Sequence, residues 1–399
     1  MGGIEINPLK NKSATATLVV SACVIGLVGV GVTASLSDDI KDKLNAQDNL
    51  LRFDSAEQAL DVFKDKLGTI REDLWDIAQQ NVKSPIIISF VGTTSEVIGK
   101  DPTLFYEVAA LKSKVVLAIA NLQKARTIWG NNSKVRLAIA PWFSHDVTVQ
   151  NALSVLNVGT KITGIIDLHC ATVNEALPLL ANMGGTRELV FPFYRRAWSV
   201  YADATIDKPN SAAVAGHIAY WDAVLGEFGF GFDHANRPIY DVEGSVINLS
   251  YEEGDENCEV NTICNAGGCV LLNDDGWKLY NFETPNDDER FNKLETIRYF
   301  DGMTENLQKT LKKYKHRPMT EVFNLAKADA DVFVGKAVKA GVSVGNQITW
   351  SEQNTPSEVA IGKIYMDYAD SNNLGMRTLV LQPLATDEYY TLENLTQGA

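Results

Sequence analysis

Short apolar runs alternate with helical patterns through the first half of the chain, and no other feature limits the possible folds as much. Runs of strand length lie at Val24 to Thr33, Ile86 to Val91, Val135 to Ala140, Gly164 to Leu168 and Glu188 to Phe193. Helical periodicity fills the gaps, from Ser55 to about Gln80, about Leu104 to Trp129, Val147 to Val158 and Asn174 to Met183. In the first of these, Ala59, Val62, Phe63, Leu67 and Ile70 mark an apolar side. Strands that are apolar along their whole length need cover on both faces, and the intervening helices supply it. The pattern predicts an α/β domain with a mostly parallel sheet. Asp146 is placed to cap the helix that opens at Val147.

The second half changes character. From Pro209, Ser211 reads as an N-cap, and Ala213, Val214, His217, Ile218, Trp221 and Val224 fall on one helical face. The glycines Gly226, Gly229 and Gly231 stop that helix, and a strand is expected at Ile239 to Val242. Ser245 to Phe282 reads as β-rich, with a hairpin of Cys269 to Leu272 and Lys278 to Phe282. Phe291 to His316 reads as a long helix, with a break expected at Gly302, and Thr320 to Gly341 as another. Strands are then expected at Glu358 to Tyr368 and Arg377 to Leu384, around a polar turn from Asp370 to Gly375. The division that follows is an N-terminal arm (1–20), an α/β outer part (21–285), a smaller α+β C-terminal assembly domain (286–384) and a C-terminal arm (385–399).

Composition excludes several functions. A net charge of −14 and a pI near 4.9 argue against a nucleic-acid partner. Five cysteines, an odd number, cannot all pair, so cytosolic thiols are the simpler reading. Cys258, Cys264 and Cys269 lack close metal-ligand spacing and a neighbouring His, so no metal site is expected. Lys10 and Lys12 before the uncharged run Ser13 to Leu36 imitate a secretion signal, but that run is poor in Leu and interrupted by glycines. The order Gly26-x-x-Gly29-x-Gly31 reverses the dinucleotide fingerprint, and no cofactor is expected. The carboxyl ends of the strands, with Ser144-His145-Asp146 and Asp167-Leu168-His169-Cys170, are where an α/β enzyme would act. A His169–Cys170 couple is ill placed, because neighbouring residues on a strand point to opposite faces.

The residues Pro209, Ser211, Val214, Ala215, Gly216, Ala219, Asp222, Asn236, Ile239, Val242 and Gly244 resemble a motif of contractile tail sheath proteins. Ile139-Ala140-Pro141, leading through a helix to a strand that ends in Asp167, resembles the same family, as does the phrase Val24 to Gly29. There are departures: Ala235 stands where the family has Pro, and Trp277 is followed by Lys278, with a Thr only at Thr284.

The resemblance implies a structural subunit without catalytic residues. It would polymerise as stacked hexameric rings around a tail tube and contract to drive that tube through a cell envelope. Its partners would be neighbouring sheath subunits, the tube protein, and baseplate and tail terminator proteins, with no membrane contact of its own. It would be assembled in the host cytoplasm and end in a virion tail. The two arms would add strands to neighbouring sheets, through Ile4, Ile6 and Leu18 at one end and Leu379, Val380 and Leu381 at the other. Among the late basic residues of the long helix, Lys309, Lys312 and Lys313 are the candidates to face the tube. Two other readings compete: a cytosolic α/β enzyme acting near His145 and His169, and an exported binding protein with a cleaved leader.

Overall fold

The computed structural model describes residues 19–20, 23–64, 68–93, 101–286, 288 and 291–374. Strand β1 (Val19–Val20) leads into β2 (Ile25–Gly31), followed by helix α1 (Asp38–Ala46) and strand β3 (Leu50–Phe53). Helices α2 (Ala56–Val62) and α3 (Ile70–Gln79) precede β4 (Val82–Lys83) and β5 (Ile86–Gly92). Helices α4 (Ala109–Asn121) and α5 (Ala125–Trp129) precede β6 (Leu137–Ile139). Helix α6 (Val147–Thr160), β7 (Thr163–Asp167), α7 (Val173–Ala181) and β8 (Glu188–Phe191) complete the alternation.

These strands form one six-stranded sheet in the order β3-β5-β2-β6-β7-β8. Every pairing is parallel except that of the edge strand β3 with β5. The expected parallel α/β body is thus observed. Its two faces carry separate cores. Val28 and Val30 of β2 point to one, with Leu111, Val115, Ile119, Val149 and Leu153. Ile25 and Leu27 point to the other, with Ile70, Leu74, Ile77 and Ala212 to Ala215. The glycines of β2 lie inside the strand, away from any phosphate-binding turn. A Cβ on Gly29 would stand 2.6 Å from Ile70 Cγ1, so its bareness lets α3 lie close to the sheet.

The continuous helix expected from Ser55 to Gln80 is two helices. Gly68 sits between them at φ +112°, and its Cβ would meet the Val30 carbonyl oxygen at 2.4 Å. Asp146 caps α6 as expected, accepting from the Thr148 N–H at 2.9 Å.

Strands β9 (Arg195–Ser199) and β10 (Ala204–Lys208) pair antiparallel and lead to helix α8 (Ser211–Val224). Its N-cap residue is Asn210, and Ser211 is already helical. The capping role falls to Asp167 at the end of β7, which accepts from the N–H groups of Asn210 at 2.7 Å and Ser211 at 3.3 Å. The one-faced pattern expected of α8 is also corrected. Residues 211–219 are buried on every side, because Ala212, Ala213, Ala215, Gly216 and Ala219 let α3, the sheet and neighbouring loops close in together.

Short strands β11 (Arg237–Pro238) and β12 (Gly244–Ser245) replace the strand expected at Ile239 to Val242. The segment expected to be β-rich contains helix α9 (Glu259–Asn265) before the hairpin of β13 (Val270–Asn273) and β14 (Trp277–Tyr280), which forms as expected. Helix α10 (Leu294–Leu311) runs unbroken through Gly302, whose missing side chain admits the ring of Phe230. Helix α11 (Met319–Lys339) follows, then strand β15 (Ser343–Trp350), helix α12 (Pro356–Ala360) and strand β16 (Met366–Asn372). Strand β15 and helix α12 were not expected, and the expected polar turn begins inside β16. The strand expected at Arg377 to Leu384 lies outside the described residues. A third core joins Phe228, Tyr299, Met303, Leu307, Ala330, Val334, Val342 and Ile348.

Candidate functional site

The carboxyl ends of β6, β7 and β8 carry the residues an enzyme would use. The His145 and His169 rings lie 6.1 Å apart, centroid to centroid. His145 is pushed down to about 4, first by burial and then by His169, so it is neutral near pH 7. Burial pushes the Cys170 thiol up to about 11, which removes the thiolate a nucleophile needs. His169 is exposed, at φ +59°, and stacks on Tyr194 at 4.2 Å instead of serving Cys170 as a base. Asp167 is committed to capping α8, and Ser144 Oγ donates to the Asp167 carbonyl at 3.4 Å. These groups hold strand ends and a helix start in place; they do not assemble a base, a nucleophile and an oxyanion hole.

A denser constellation lies below α8 and was not legible in the sequence. Lys208 and Arg195 are fully buried among Glu72, Asp76 and Asp241. Arg195 Nη2 stands 2.8 Å from Asp76 Oδ2, and Lys208 Nζ stands 3.0 Å from Glu72 Oε2 while also bonding Asp76. Burial works against the Asp76 carboxylate, yet Lys208 and Arg195 hold it below its ordinary range. Asp73 is different: burial raises it well above that range, and the Trp142 indole N–H donates to it at 3.1 Å. The network pins α3 to the β9–β10 hairpin. Glu72 and Asp76 lie more than a hundred positions from Arg195 and Lys208, which no local pattern reveals.

Helix α10 is fastened to the α/β body by one side. Arg298 donates to Asp222 at 3.1 Å and 2.5 Å, and His234 Nε2 lies 2.8 Å from the same carboxylate. Asp301 meets Arg187, with Nη2 at 3.2 Å, and Lys161 at 3.6 Å. Glu305 takes Lys134 at 3.0 Å and Arg136 at 2.7 Å. Lys134 and Arg136 precede β6, Lys161 precedes β7, and Arg187 precedes β8. The helix therefore lies across the amino ends of three adjacent strands, where four cations form a row. Positions 298, 301 and 305 share one face of a helix; that spacing was a readable signal, but its partners were not.

The late basic residues are partly spoken for within the chain. Lys309 Nζ is 3.5 Å from Glu305 Oε1, and Lys313 Nζ is 2.5 Å from Asp329 Oδ2 and lies over the Tyr314 ring. Lys312 is exposed.

Two places present strand edges. β1 pairs parallel with β4, Val19 opposite Val82 and Val20 opposite Lys83. β15 and β16 form a sheet of two strands, with no third among the described residues. Its inner side is tied down: Tyr299 donates to Asp370 at 2.6 Å, Ser343 Oγ to Asp370 at 2.7 Å, and Asn372 to Thr296 at 2.9 Å. Its outer side is bare, with Val344 70% exposed. The arm residues Ile4, Ile6, Leu18, Leu379, Val380 and Leu381 lie outside the described residues.

A parallel-sheet body fastened to a helical part with a two-stranded sheet is an architecture shared with solved contractile sheaths. The chain superposes on the sheath of an extracellular contractile injection system (PVC) in its contracted state with a TM-score of 0.66, at 15% identity, covering 97% of this chain and 98% of that one. The contracted helical sheath of the anti-feeding prophage (AFP) gives 0.62, at 15% identity over 97% and 100%. A sheath tail protein from Desulfitobacterium hafniense gives 0.55, at 9% identity over 93% and 100%.

In sequence, the chain is 25% identical over 236 residues to a "Putative prophage major tail sheath protein" of Pseudomonas aeruginosa (strain UCBPP-PA14). That match spans 59% of this chain and 60% of the relative. No protein-family model matches. The resemblance read from the sequence is borne out: the chain has the fold of contractile sheath proteins and is similar in sequence to a protein described as one.

Proposed function

We propose that this chain is a structural, non-enzymatic subunit of a contractile tail sheath. The observation that carries the reading is the two-stranded β15–β16 sheet. A two-stranded sheet is marginal alone and presents hydrogen-bonding edges. Here it is anchored on one side and bare on the other, in a chain that shares its fold with sheath subunits along nearly its whole length. The arms expected at 1–20, of which Val19–Val20 pair within the chain, and at 385–399 supply the strands that complete such a sheet in neighbouring copies. Copies linked this way stack as hexameric rings around a tube, with the basic cluster at Lys309, Lys312 and Lys313 turned toward it. Main-chain bonds keep the mesh connected while the bodies rotate, so many small interface gains add up to contraction. Contacts with baseplate and terminator proteins cap the array, which ends as part of a virion tail.

Electron microscopy of the purified full-length protein tests this. Tubes or stacked rings are the expected result; a monodisperse monomer across protein and salt concentrations contradicts it.

A further inference from the structure

The crevice above the strand ends contains a cavity of about 280 Å³ that none of these roles uses. Tyr106, Trp142, His169, Tyr194 and Tyr201 line it. Trp142 stands at 88° to Tyr194, with ring centroids 6.4 Å apart, so the aromatic lining turns a right-angled corner. Trp142 and His169 hold φ values of +66° and +59°. Bulky side chains avoid that region, and the surrounding structure keeps both rings in it. Asp101 and Asp207, both exposed, also belong to the wall, and no lysine or arginine is among its described residues. Asp207 meets Arg196 Nε at 3.3 Å in an exposed pair, which holds the carboxylate loosely.

Aromatic ring faces carry negative potential and attract a cation within about 6 Å of the ring centre. Carboxylates in the same wall add to that attraction. The volume is at the lower end of ligand cavities, too small for a nucleotide and suited to a few heavy atoms. A neutral apolar ligand would gain from the rings and nothing from the carboxylates. We propose that this cavity binds a small organic cation, an ammonium or guanidinium on a short apolar stem. Two sources present that chemistry: a free alkylammonium compound, and a lysine or arginine side chain of a second copy of this chain.

The test uses the full-length protein with choline and its neutral carbon analogue 3,3-dimethylbutan-1-ol, read by calorimetry and saturation-transfer NMR. Choline is expected to bind saturably and about ten-fold more tightly than the neutral analogue. Tyr201→Ala and Asp207→Asn should each weaken choline several-fold. Tyr201 is anchored to Glu72 through its backbone N–H, at 2.5 Å, so removing the ring should leave the melting temperature unchanged. Equal binding of the two probes overturns the proposal, and so does choline binding that Tyr201→Ala leaves intact. A second arm rests on the sheath reading and uses assembled polymer. Loss of choline binding on assembly assigns the cavity to a side chain of another copy; retained binding assigns it to a free cation. Failure to polymerise counts against the sheath reading and leaves the first arm standing as the test.

Discussion

The α/β body and the C-terminal sheet solve the same problem in opposite ways. In the body, six strands share one sheet, helices cover both faces, and its buried charges lie among opposite charges, as at Lys208, Arg195 and Asp76. The C-terminal sheet has two strands among the described residues, an inner side held by Asp370, Asn372 and the core around Ile348, and a bare outer side. The first pairs all its inner strands within one sheet; under the proposed assembly, the second is completed by strands from other copies. Changes to the body should therefore register as lost stability, and changes at the open edge as lost assembly with little effect on the fold.

The largest effect expected is on assembly. Deleting residues 1–18 should leave a folded monomer with an unchanged melting temperature and no ordered polymer by electron microscopy; normal tubes would erase the contrast between the two regions. Next comes Lys208→Met, which strips a buried cation from Glu72 and Asp76 and should cost about 3–5 kcal/mol in chemical denaturation. Gly29→Ala forces a methyl group against Ile70 and should cost about 1–3 kcal/mol in the same assay.

The joint at α10 gives a smaller, pH-dependent effect. Burial alone would raise Glu305, but Arg136 and Lys134 hold it down to about 2, from an ordinary 4.5. A depressed carboxylate stabilises fully above its unfolded pKa, and that contribution disappears as pH falls from about 4.5 toward 2. With screening at this half-buried site, Glu305→Gln should cost about 1–2 kcal/mol at pH 7 and nearly nothing at pH 2, read as converging melting temperatures. The smallest effect on stability belongs to the triple change of the exposed Lys309, Lys312 and Lys313 to Glu. Its readout is co-sedimentation with tail tubes, which should fall; unchanged co-sedimentation would remove the cluster from the tube side.

The body was legible in the sequence because its strands are continuous apolar runs whose helices repeat at 3.6 residues. What escaped notice was local and polar. Helix α1 reads DDIKDKLNA, with Leu44 its one buried residue, and β3 is a four-residue edge strand. β15 alternates irregularly, since one side faces solvent and a bulge falls between Ser343 and Gly345. The helix that periodicity alone would have continued stops at Val62, and Gly68 lies before the next one at φ +112°. Gly302 did not break one, because Phe230 fills the space above it. The ion pairs were unreadable for a different reason: Arg298 and Asp222, or Lys208 and Asp76, meet only after the chain has folded. Asp222 belonged to the motif that carried the resemblance, but nothing local showed that its partner is an arginine on α10.

The row of cations under α10 has a mechanical meaning. A load applied to the helical end reaches the central sheet at three neighbouring strands at once, through bonds spread along about two turns of one rod. Three anchored strands resist a twist of the helix against the sheet better than one anchor would. Under the proposed assembly, bending of an array would fall between the molecules and not within them.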